Sequence, residues 1–209
     1  MMKIPWQPVP ALETAAFRQV RREAIFQCFK WDVQVGDVCA LSPVPIVLRP
    51  DAWSGICGMA ERLAAETLAA EKELRGRPHL HERLGLPAPV LTELRRAASV
   101  EASATDLRVI RFDFHYTRQG WQISEANTDV PGGFNEASGL TRLVSQHYPG
   151  LSITGNPAQS LAQAIRGCML KNGAAALVHA TAYTDDRQVM TYLARELQGQ
   201  GVEAQLVSP

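Results

Sequence analysis

The sequence predicts a mixed α+β fold in which N-terminal helices pack on an antiparallel hairpin and a parallel strand-helix-strand unit follows. Three observations carry this. Residues 106–136, DLRVIRFDFHYTRQGWQISEANTDVPGGFNE, hold two alternating runs around Arg118-Gln119-Gly120. Ahead of them, two segments repeat apolar residues in steps of three and four, the helical period. Behind them, the continuous apolar run from Ala174 to Ala180 is followed by a helical pattern and a second strand pattern ending at Val207. Such a unit implies a parallel pair with a right-handed crossover. The expected division is 1–150, helices plus hairpin, and 151–209, the start of an α/β domain.

In chain order, Phe17, Val20, Ala24 and Cys28 define a buried helix stripe between Ala11 and Phe29, with Arg18, Arg21 and Arg22 outside. Gly36, Pro43 and Pro45 break the next stretch into an irregular connection. Asp51 is an expected N-cap for the longest helix, whose stripe runs Trp53, Ile56, Ala60, Leu63, Thr67, Ala70 and Leu74 and stops before Gly76 and Pro78. That stripe reads as a core seam rather than a partner-helix face. His79 and His81 fall in a Pro-flanked loop, and a short helix covers Val90 to Ala98. After the hairpin come helices from Asn135 to His147, from Pro157 to Met169 and from Asp185 to Gly201. The last lies between the two strands of the α/β unit.

The hairpin carries the chemistry. Ile110, Phe112, Phe114 and Tyr116 share a core-facing side of its first strand; Val109, Arg111, Asp113 and His115 share the other. Strict alternation puts Trp121, Ile123, Glu125 and Asn127 on one face of the second strand. A three-residue loop ending at Gly120, the residue that tolerates positive φ, pairs Thr117 with Trp121. Counting outward, Asp113 lies opposite Glu125 and Arg111 opposite Asn127. Like charges directly opposed are destabilising at Cβ separations of roughly 5 Å, so a positive group belongs between them. Two answers fit. Asp113, Glu125 and Asn127 offer a hard divalent cation such as Mg²⁺ two carboxylates and an amide oxygen, with Arg111 as a phosphate fork beside it. Alternatively, Arg111 neutralises both carboxylates in a structural ion-pair network. Gly132 and Gly133 then form a turn where backbone can approach a ligand closely, and the helix pattern from Asn135 begins at once.

The order R-x-D, short hairpin, E-x-N and Gly-rich turn resembles the metal and phosphate segment of the circularly permuted ATP-grasp proteins, the group that includes glutathionylspermidine synthase. The F-x-C-F-K-W segment, the A-E-x-L helix and Leu-Gly-Leu-Pro ahead of the hairpin are similar to the same group, so the resemblance spans nearly the whole chain. It implies an ATP- and Mg²⁺-dependent carboxylate–amine ligase that works through an acyl phosphate. It places the metal on Asp113, Glu125 and Asn127, the phosphoryl-steadying role on Arg111, and the nucleotide phosphates near Arg111, Gly132 and Gly133. Residues 151–209 would be the start of the pre-ATP-grasp domain. The implied partners are a small-molecule or peptide carboxylate and an amine, with a C-terminal half or a second polypeptide completing the site. A rival class is a non-catalytic remnant that keeps the fold without binding nucleotide alone. A metal-dependent phosphatase would need more His and Asp ligands than the hairpin offers.

Composition narrows the partners. Lys+Arg and Asp+Glu are both 21 and the pI is near 7.0, which argues against nucleic acid or an anionic membrane. No apolar run is long enough to span a bilayer and no signal-peptide pattern opens the chain, so a cytoplasmic location is expected. Cys28, Cys39, Cys57 and Cys168 show no paired spacing and read as reduced residues rather than a zinc site. Neither G-x-G-x-x-G nor a P-loop occurs, so the α/β segment reads as scaffold.

Overall fold

The computed structural model describes residues 4–97, 108–170 and 173–208. The fold is mixed α+β, with small antiparallel and parallel sheets. The contacts divide it into two compact units interleaved in sequence, residues 1–6 with 48–128 and residues 7–47 with 129–209, where the sequence suggests one boundary near 150.

The first unit contains the long helix Pro50–Gly76, short helices His79–Arg83 and Ala88–Ala97, and the hairpin of Arg111–Thr117 with Gly120–Asn127. Arg49 is the N-cap of the long helix and Pro50 enters its first turn, where its missing N–H costs nothing; Asp51 is an acidic first-turn residue instead of the expected cap. The expected core seam is only half-formed: no residue of this helix is buried, and Trp53 and Ala70 on the stripe are exposed. His79 and His81 lie on a helix, not in a loop. His81 is buried, and its Nε2 lies 2.8 Å from Leu74 O, a last-turn carbonyl of the long helix that also accepts from Arg77 N at 3.1 Å. The imidazole and the cap N–H together close that helix end.

The second unit holds the buried hydrophobic core. Helix Thr14–Cys28 buries Val20, Ala24 and Cys28, on the expected stripe. Arg18 and Arg22 are exposed, and Arg21 is half-buried. The segment after the Gly-rich turn is a π-helix, Asn135–Leu140, running into the α-helical turn Thr141–Ser145, rather than one α-helix to His147. Gly139 explains why this segment packs so close: a Cβ there would lie 2.6 Å from Cys28 Sγ and 3.1 Å from the Tyr192 ring. Asn135, fully buried, donates from Nδ2 to Cys28 O at 2.6 Å and to Gln188 O at 3.1 Å, tying three segments together.

The strand-helix-strand unit forms as the sequence predicts. Asn156 caps helix Pro157–Cys168 by accepting from Gln159 N, and Pro157 fits the first turn. Strands Ala174–Val178 and Glu203–Val207 pair in parallel, from Ala174 with Glu203 to Val178 with Val207, around helix Thr184–Gly199. Ala162, Leu177, Leu193, Ala194, Leu197, Val202 and Ala204 form their shared core. Full burial of Leu197 stabilises by about 1.5–3 kcal/mol relative to exposure.

Candidate functional site

The hairpin brings the charged residues together in the expected pairs, Arg111 with Asn127 and Asp113 with Glu125. It reaches them by another route. Thr117 pairs with Gly120 rather than Trp121, followed by Tyr116 with Trp121, His115 with Gln122 and Phe114 with Ile123; the register then slips by one residue between Phe114 and Asp113. The extra residue is Ser124, whose hydroxyl donates to Asp113 O at 3.2 Å. Directly paired residues share a face, so Trp121 and Ile123 lie with Tyr116 and Phe114, while Glu125 and Asn127 lie with Asp113 and Arg111. The expectation that Trp121, Ile123, Glu125 and Asn127 share one face is corrected by this bulge. Its physical reason is the sorting of apolar from charged side chains: strict alternation would have set an indole among carboxylates.

Gly120 has φ of 93°, as the turn requires, and the Thr117 hydroxyl accepts from Gln119 N at 3.0 Å and donates to Gly120 O at 2.9 Å. On the aromatic face, the Tyr116 ring lies 5.1 Å from Trp121 and 5.5 Å from Trp6, both edge-on, a geometry that favours ring contact. Phe112, Phe114 and Tyr116 are half-buried, so this face is covered in part and is not the fully buried core that the alternation suggests.

On the charged face, Arg111 Nε donates to Asp113 Oδ1 at 2.8 Å and Nη2 to Asp113 Oδ2 at 3.3 Å, with Glu125 Oε1 3.6 Å from Nη2. The Asp113 hydrogen bond holds the Arg111 pKa above its ordinary value, against slight burial and with help from both carboxylate charges. The fork is bidentate to one carboxylate and leans on the other. The side chains of Arg111, Asp113 and Glu125 are 41%, 38% and 56% exposed, so the cluster opens to solvent. Among the described residues no group of three or more His, Cys, Asp or Glu gathers with metal-ligand geometry; the hairpin's donor set is two carboxylates and the Asn127 amide. His115 pairs with Gln122 and is exposed.

Gly132 and Gly133 belong to the second unit, with Gly133 at φ of 94° and Gly132 packed against Val189. The N–H of Ala137 is already bonded to Gly133 O at 2.9 Å, which closes the turn on itself.

Two polar groupings in the second unit escape sequence reasoning because each joins the segment Phe29–Asp32 to residues more than a hundred positions away. Lys30 Nζ bridges Asp32 at 2.8 Å and Glu136 at 2.6 Å. Burial pushes the Lys30 pKa down, but hydrogen bonds to both carboxylates more than reverse it, and the net shift is upward. Asp32 is shifted the opposite way: burial raises it, and the Lys30 hydrogen bond and charge bring it below the usual carboxylate range. The second grouping is a cleft of about 480 Å³ lined by Phe29, Trp31, His179, Thr181, Arg187, Thr191, Leu206 and Ser208. Its only sequence signal is the polar stretch between a strand and the helix after it.

Among the described residues no helix is long and apolar enough to cross a membrane. No family model matches the sequence, and no curated protein matches it significantly.

Proposed function

We propose that the chain contributes the metal and phosphate segment of an ATP- and Mg²⁺-dependent carboxylate–amine ligase of the ATP-grasp kind. The observation that carries the reading is the pairing of Asp113 with Glu125 on one open face, with Arg111 and Asn127 in the adjacent pair. Like charges opposed in this way lower stability, so their retention on an exposed strand needs a reason. A hard cation supplies one. Asp113, Glu125 and Asn127 would hold it through oxygen atoms, and each carboxylate keeps lone pairs that Arg111 does not use. When bound, the ion neutralises charge on the nucleotide phosphates during phosphoryl transfer to the substrate carboxylate. Arg111 is a fork suited to the transferring group, held in position by Asp113 until a phosphate competes for it.

A second reading has its own observation. The guanidinium already lies against both carboxylates, which is the geometry of a structural ion-pair network. Calorimetric titration with Mg²⁺ and Mn²⁺ separates the two. The ligase reading expects weak binding that Asp113→Asn and Glu125→Gln each reduce, whereas identical heats for all three proteins would leave only the ion-pair network. ATP titration bears on the remnant class, because metal-bridged triphosphate contacts alone give affinity on the order of millimolar or poorer. Micromolar ATP binding that survives Asp113→Asn would move the nucleotide site off the hairpin.

A further inference from the structure

Parallel strands end on the same side, and the loops that leave them collect polar groups beyond the last backbone pair, which is where ligands of α/β sheets bind. In this chain both strands end at one cleft. His179 follows the strand Ala174–Val178, Ser208 follows Glu203–Val207, and helix Thr184–Gly199 contributes Arg187 and Thr191. Its volume of about 480 Å³ lies within the span of small-molecule sites, roughly 300–1,000 Å³.

The lining is one-sided in its chemistry. It offers the Arg187 guanidinium and the hydroxyls of Thr181 and Ser208, and no carboxylate; the Thr191 hydroxyl already donates to Arg187 O at 2.6 Å, and His179 Nδ1 lies 3.1 Å from Ala180 O. Arg187 forms no salt bridge among the described residues; its guanidinium carbon instead sits 5.9 Å over the Trp31 ring. That platform is anchored, because Trp31 N donates to Gln188 Oε1 at 3.0 Å and Gln188 is buried on the same helix as Arg187. A cation set over an indole, with its N–H groups free of a carboxylate, is preset to receive an oxyanion. Phe29 and Leu206 supply apolar wall for the body of the molecule. The acids nearest in sequence, Asp185 and Asp186, open the helix without lining the cleft, and Asp185 Oδ1 accepts from Gln188 Nε2 at 3.4 Å.

We infer that this cleft binds a small organic oxyanion, a carboxylate or a phosphate ester with an apolar body, through Arg187. Neither hydride nor metal chemistry is implied, and the site owes nothing to the hairpin. Phenyl phosphate, benzoate and uncharged benzyl alcohol are the probes, titrated into the whole chain while the Arg187 Nε–H and Trp31 indole N–H signals are followed by nitrogen-15 NMR. The expected result is saturable binding of at least one of the two anions that moves both signals, with affinity reduced tenfold or more by Arg187→Gln and unchanged by Asp113→Asn. The anion that binds tighter identifies the headgroup. Arg187 is exposed, so the variant keeps its fold, which circular dichroism verifies. No saturation by either anion below about 10 mM, equal binding of benzyl alcohol, or indifference to Arg187→Gln would each overturn the assignment.

Discussion

Asp113 and Glu125 are direct cross-strand partners, and Arg111 reaches both, 2.8 Å from Asp113 Oδ1 and 3.6 Å from Glu125 Oε1. A divalent cation held by these carboxylates would sit beside the guanidinium, and the two positive charges would repel. Arg111→Met removes the repelling charge while keeping an unbranched stem, so Mn²⁺ affinity should rise several-fold, and Asp113→Asn in the same background should abolish the gain. Electron paramagnetic resonance of free Mn²⁺ measures both. Unchanged affinity in Arg111→Met would mean that the carboxylates do not act as ligands.

The close approach at Gly139 gives a sharper test of packing. Gly139→Ala puts a methyl 2.6 Å from Cys28 Sγ and 2.9 Å from Cys28 Cβ, with little room to shift, so it should destabilise by about 1–3 kcal/mol in urea unfolding. Gly167 is the control, since a Cβ there meets nothing within 4 Å on helix Pro157–Cys168. Gly167→Ala should be neutral or stabilise by up to about 1 kcal/mol.

His81 helps close the long helix at Leu74 O, and it is buried at 6% exposure. His81→Ala removes the hydrogen bond and leaves a gap, at a cost of about 1–3 kcal/mol. Amide exchange should quicken first near residues 74–77, ahead of the middle of the helix. Uniform loss of protection along Pro50–Gly76 would show that the histidine supports the whole helix rather than its end.

The Lys30 bridge sets a pH dependence at both ends. Asp32 has a lowered folded pKa, so its contribution is complete above the unfolded carboxylate value, about 3.9, and is lost as pH falls through the lower folded value. Lys30 has a raised folded pKa, so its contribution is complete below the unfolded value, about 10.4, and is lost as pH rises through the higher folded value. Asp32→Asn should flatten the acid limb of the unfolding midpoint, while Lys30→Met should lower stability between these limits by leaving Asp32 and Glu136 without their shared cation. A pH profile shared by wild type and both variants would remove the bridge from the account.

Local rules make much of this legible in the sequence. Asn156-Pro157 starts a helix, the apolar steps of Val20, Ala24 and Cys28 bury one, and the Ala174–Ala180 run pairs in parallel with the strand ending at Val207. The hairpin pairs Asp113 with Glu125 as counted, although the count compensates for two departures: the pairing at Gly120 is one residue shorter than expected, and Ser124 restores the difference. Alternation does not reveal a bulge, because counting along a strand assumes an unbroken period of two. The π-helix at Asn135–Leu140 is equally invisible to local rules, since the partners of its first residue, Cys28 O and Gln188 O on the Asn135 amide, are distant in the chain. The cleft is hidden for the same reason, since Trp31 and Arg187 meet only after folding.

The Ser124 bulge also fixes how this hairpin can vary. Point substitutions on the strand alter one face at a time, so the aromatic cluster and the charged cluster can drift separately under selection. A change of length at the bulge acts in the same way. Losing the single codon for Ser124 would set Glu125 directly after Ile123, and an unbroken period of two would then keep Trp121 and Ile123 opposite Tyr116 and Phe114, and Glu125 and Asn127 opposite Asp113 and Arg111. Between relatives of this chain, the hairpin should therefore accept a gap at position 124 as readily as a replacement there.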